Sequence, residues 1–134
     1  MNTVPTPGDL FRRQAHPLIA PATHDPAADA PFRQLWERGI KGSRMYRHTK
    51  LVALTVATGA DWTTGRLDDP VLSVGVLAEA TQLGHGQVVV SLLALEQRGW
   101  LERDLRTNRW GVAAVELTIP RPIMRRLRKT TPRA

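Results

Sequence analysis

Between Val74 and Leu101 the chain reads "VGVLAEATQLGHGQVVVSLLALEQRGWL", and this stretch constrains the fold more than any other. Apolar residues recur twice at helical spacing, first as Val74, Leu77, Ala78 and Thr81, then as Val88, Leu92 and Leu95. "QLG" separates the two stripes. Two helices this short cannot stand alone, so each must bury its stripe on the other and on a third element. Ala78 suits a point where two helices cross closely, and Val88, ten residues on, would pack the second helix back on the first. Ser73 is a natural N-cap, although Val76 stands where a capping box would place Glu or Gln. Gly99 suits the residue after the second helix. Gln82 occupies the turn, where a left-handed backbone is expected at some cost to a residue with a Cβ.

Further helices are expected upstream. Phe32, Leu35, Trp36 and Ile40 form one stripe after Pro31. "YRHTKLVALTVAT" predicts a helix over 45–58, with Ser43 as cap, Gly59 as terminator, and Leu51, Leu54, Thr55 and Thr58 on one face widened by Val52 and Val56. "GADWTTGRLDDP" reads as a loop, and Val71–Leu72 as a very short strand. Downstream, "WLERD" and "RWGVAAVEL" read as strands of a hairpin around "LRTN". Prolines 5, 7, 17, 21 and 26 leave residues 1–28 without a periodic face, so a disordered arm is expected there. The expected organisation is therefore an arm over 1–28, a domain over 29–118 and a basic tail over 119–134. In the tail, Ile123, Met124 and Leu127 alternate with six cations, allowing a short amphipathic helical turn.

The 134 residues carry 19 Lys and Arg against 12 Asp and Glu, a formal net charge of +7. Such an excess attracts polyanions. With 0 Cys there is no disulfide framework or thiolate metal site. No run reaches the length of a spanning helix and no secretory signal is legible, so a soluble, cytoplasmic protein without a membrane partner is expected. Catalysis is not supported. Histidines 16, 24, 48 and 85 are scattered, Asp68–Asp69 lacks further ligands at a metal spacing, and Ser73 lacks a nucleophile-elbow context. No enzyme activity, cofactor or metal is expected.

Helix, helix, short strand, helix, turn, helix, hairpin is the order of a winged helix-turn-helix, mainly α with a small β-hairpin, here preceded by an extra amphipathic helix. The run "LAEATQLGHGQVVVSLLALEQRGWLERD" resembles the helix-turn-helix segment of GntR-type regulators. More closely, the chain resembles small actinobacterial, plasmid and phage helix-turn-helix proteins. The matches are Trp36-Glu37-Arg38, Thr49 to Ala57, Asp61-Trp62 with Thr64-Gly65, Leu77 to Thr81, and Leu95-Glu96 with Gly99 to Leu101. They fall within residues 31–104. The resemblance implies a double-stranded DNA partner and a role as transcriptional regulator or accessory DNA-binding protein of a mobile element. It departs from the pattern at Gln82 and Gly84, where Gly and Ser are usual, and in having no cation on the second helix before Arg98.

The outward side of that helix, around 85–98, carries Gly86, Val90, Leu93 and Gln97, flanked by His85, Gln87 and Val89. Two uses compete. In one, His85, Gly86, Gln87, Val89 and Val90 face base edges: Gln87 pairs with adenine, the valines touch thymine methyls, and the glycines let the backbone approach a phosphate. Affinity then comes from flanking cations: Lys41, Arg44, Arg47 and Lys50 before the second helix, Arg103, Arg106 and Arg109 in the hairpin, and Arg125, Arg126, Arg128 and Lys129 in the tail. The tail could equally bind RNA or anionic lipid, and DNA is simplest only beside the helix pair. In the other use, the apolar patch near Leu93, or the N-terminal helix, pairs two copies or docks a protein. A third alternative leaves the patch as core beneath the N-terminal helix.

Overall fold

The computed structural model describes residues 20–104, 110 and 113–130. The described residues form five helices and a two-stranded antiparallel sheet: α1 (Phe32–Gly42), α2 (Arg47–Ala57), α3 (Val74–Thr81), α4 (His85–Gln97), β1 (Leu101–Arg103), β2 (Val115–Leu117) and α5 (Arg121–Thr130). Leu101 pairs with Leu117 and Arg103 with Val115. None of the helices among the described residues is long and apolar enough to cross a membrane.

One core joins these elements. α1 buries the expected stripe of Phe32, Leu35, Trp36 and Ile40. The Trp36 indole N–H donates to two carbonyls, Trp100 O at 3.1 Å and Thr118 O at 3.0 Å, and its ring meets Trp100 edge-on. These bonds tie α1 to the residues flanking the sheet. Gly39 makes the approach possible, because a Cβ there would sit 2.5 Å from the Trp100 ring.

α2 turns a different face inward from the one its sequence suggests. Thr49, Val52, Ala53, Val56 and Ala57 are buried, whereas Leu51 and Thr58 are exposed. Apolar residues cover nearly every side of this segment, so its spacing alone leaves the rotation open. Packing on α4, the most extensive helix contact in the molecule, selects the side with small and β-branched residues. Ser43 does not cap α2. It closes α1, its hydroxyl donating to Ile40 O at 2.7 Å, and α2 begins after Tyr46.

The described strands are the part of the expected hairpin away from its tip, and 105–109 and 111–112, with the expected turn, lie outside the described residues. Val71 adds a single bridge to Ala114, reinforced by Val115 N–H to Pro70 O at 2.8 Å. The expected short strand at 71–72 is therefore one bridging residue.

The described parts of the expected arm and tail, 20–28 and 119–130, pack on the domain. Residues 20–22 line up with 119–121, with Ala22 N–H on Ile119 O at 2.8 Å and Arg121 N–H on Ala20 O at 3.1 Å. Residues 20–28, expected in the disordered arm, are therefore ordered, and 1–19 lie outside the described residues. At the other end, α5 buries Met124 and Leu127 and packs on α1, so 121–130 belongs to the domain. Proline content and net charge predict tails, but the backbone and apolar partners that order these segments lie about a hundred residues away in the chain.

Candidate nucleic-acid interface

α3 and α4 are joined by a tight turn. Ser73 Oγ accepts from Val76 N–H at 3.2 Å and starts α3. Gln82 then takes the left-handed conformation its position demands (φ 60°, ψ 27°), its side-chain amide donating to Glu79 O at 2.8 Å. Gly84 caps α4, and Gln87 Oε1 accepts from the Gly84 N–H at 2.9 Å. Inside the bend, Ala78, Val88, Leu92 and Leu95 are all buried.

On the outward side, Val90 is 66% exposed, which rules out a covering by α1, and Val76 of α3 is 65% exposed. His85, Gly86 and Gln87 are exposed; Val89 and Leu93 are half-buried. Gly86 is surrounded by open space, since an added Cβ would find nothing within 4 Å. Alanine at this helical position should therefore stabilise the fold by about 0.5–1 kcal/mol. If the first turn of α4 meets a partner at backbone distance, Gly86→Ala should raise the urea midpoint and weaken binding of that partner about tenfold. A variant both more stable and equally tight would remove Gly86 from the interface.

The expected cations divide into two groups. Lys41, Arg44 and Arg47 are exposed around the α1–α2 corner, and Lys50 Nζ donates to the Lys41 backbone carbonyl at 3.0 Å, which holds the Lys50 charge at the end of α1. Tyr46, exposed beside them, stacks under the Arg47 guanidinium at 5.9 Å. Basic segments with an interleaved aromatic signal such a surface, and Tyr46 was legible in that way. The first turn of α2 holds no acid and its N-cap makes no side-chain hydrogen bond. Cations there oppose the helix dipole, an arrangement that an approaching anion would relieve.

The second group is committed inside the molecule. Arg103, only 10% exposed, lies 3.0 Å from Glu96 and 4.4 Å from the Trp110 ring centroid. It anchors β1 to α4 and does not serve as the phosphate contact its position suggests. Arg128 grips Asp29 through two bonds of 2.9 Å and donates to Thr23 O at 2.7 Å, so part of its hydrogen-bonding capacity is spent within the fold, although its side chain stays 44% exposed. Arg125, Arg126 and Lys129 remain exposed on α5, and Arg121, Arg125, Arg128 and Lys129 border a shallow groove against Thr23 and Asp25. Arg106 and Arg109 lie outside the described residues. No group of acids and histidines able to hold a metal occurs among the described residues.

The Arg128 hydrogen bonds hold the Asp29 carboxyl below its ordinary value of 3.8. The carboxylate is thus favoured in the folded chain, and its stabilisation is complete above the unfolded value and lost as pH falls through the lower folded one. Arg128 is partly solvent-exposed, so the pair is worth about 1 kcal/mol after screening. Arg128→Gln should lower stability more at pH 7 than well below pH 3, where only the Arg128–Thr23 O bond remains to be lost. An equal loss at both pH values in urea titrations would assign the effect to packing instead.

Comparison with known proteins returned no matching family, no matching curated relative and no matching solved structure.

Proposed function

We propose that the chain is a DNA-binding protein of winged helix-turn-helix type, acting as a transcriptional regulator or as an accessory DNA-binding protein of a mobile element. α4 enters the major groove, and the α1–α2 corner holds the phosphate backbone. The observation that carries this reading is the two-sidedness of α4. Its inner face is wholly buried, whereas its first turns project Gly86 and Val90 into solvent, in a chain of net charge +7. The bridge of Val71 to Ala114 supports it by placing a third extended segment beside β2, as a wing has.

Salt titration tests the proposal. With about five phosphates engaged, log K against log salt should fall with a slope of about −4 to −5. A flat dependence would overturn it. The exposed Val76 and Val90 favour a second reading, a protein-docking face, and that result would support it.

A further inference from the structure

If α4 lies in a major groove, its side chains limit what it can read there. Outward positions 85, 86, 89, 90 and 93 are His, Gly, Val, Val and Leu. His85 is the one hydrogen-bonding side chain among them. Gln87 is the next, but its amide oxygen already accepts from the Gly84 N–H at 2.9 Å. Bidentate reading of adenine needs that oxygen to accept from N6 while the amide donates to N7. One of the two lone pairs of that oxygen is thus taken by the α4 cap, which restricts the side-chain orientations open to Gln87. Hydrogen-bond readout is therefore limited to His85 and a restrained Gln87, whereas most of the outward surface is aliphatic.

Among groove-floor groups the apolar one is the C5-methyl of thymine, shared chemically by 5-methylcytosine. Its complement is a small aliphatic surface with no carboxylate to repel phosphate. Val89, Val90 and Leu93 supply such a surface. Glu96, the first acid along α4, is held by Arg103. α2, whose first turn carries Arg47 and Lys50, is the helix against which α4 packs most extensively.

We infer that this helix selects DNA by contact with C5-methyl groups on the groove floor, with Val90 as the principal contact. The inference rests on the DNA-binding reading above and adds to it the chemical group that is read. Each methyl buried against an aliphatic side chain contributes about 0.8 kcal/mol, so each one removed should cost about fourfold in affinity.

The test uses the full chain with two short duplexes of alternating dA and dT, one of them with deoxyuridine in place of every thymidine. The thymine duplex should bind about tenfold or more tightly, through two or three methyl contacts. Val90→Ala, at an exposed position, should weaken binding to the thymine duplex about threefold to fourfold and leave the uracil duplex unaffected, a coupling that simple loss of folding cannot mimic. Equal affinity for both duplexes with a steep salt slope would overturn methyl reading while leaving DNA binding intact. Salt-independent or absent binding to both would overturn the DNA reading and this inference together. Dissociation of a DNA-free dimer by Val90→Ala would assign the face to a second copy and overturn the inference as well.

Discussion

Trp36→Ala is expected to lower the unfolding free energy by about 3–5 kcal/mol, a large share of the roughly 5–15 kcal/mol that holds a domain folded. Trp36 is wholly buried, and three separate parts of the chain depend on it. Its ring packs edge-on against Trp100, and its N–H reaches the carbonyls of Trp100 and Thr118. Truncation opens a cavity the size of an indole at the junction of α1 with the sheet. Trp36→Phe separates the contributions. It retains most of the ring volume but removes the donor, and Trp100 O keeps a partner in the Thr118 N–H at 3.0 Å. The phenylalanine variant should therefore lose only about 1–2 kcal/mol. Urea unfolding followed by far-UV circular dichroism reads both. A loss below about 1 kcal/mol for the alanine variant would mean that α1 is not lodged in the core as described.

On the proposed DNA-binding reading, neutralising Lys41, Arg44, Arg47 and Lys50 together is expected to reduce DNA affinity about a hundredfold at 0.15 M salt, and to make the salt slope shallower by about 3–4. The four changes should not unfold the protein. Arg47 and Lys50 sit in the first turn of α2, where cations oppose the helix dipole, and their removal offsets loss of the Lys50–Lys41 O hydrogen bond. Unaltered thermal unfolding with weakened, less salt-sensitive binding is the expected pair of results. Neutralising Arg103 and Arg128 instead serves as the contrast, because both are bound to carboxylates within the fold. If the first quadruple variant kept full affinity and slope, the α1–α2 corner would not be a phosphate surface. Removal of residues 121–134 is a poorer test, since it would also strip the buried Met124 and Leu127 from α1.

Local pattern made several elements readable. The stripe of α1, the inner faces of α3 and α4, the Ser73 cap and the left-handed Gln82 all follow from spacings within about two helical turns. Such features depend on neighbours only three or four residues apart, which a sequence displays directly. The outward side of α4 was legible for the same reason, being what remains once the inner stripe is assigned.

The rotation of α2, the order of 20–30 and 121–130, and the fate of individual cations were not legible. Leu51 and Val52 are equally apolar, and only the shape of α4 decides that Val52 turns inward. Arg128 and Arg125 are alike in sequence, yet Asp29, brought close by the pairing of 20–22 with 119–121, engages one and leaves the other in solvent. Taken alone, the amino-acid order determined the helical stripes of α1, α3 and α4, the cap and turn that join the last two, and that the chain carries excess positive charge. Tertiary structure decided which of those charges face outward, because an ion pair between residues 29 and 128 exists only once the chain has closed on itself.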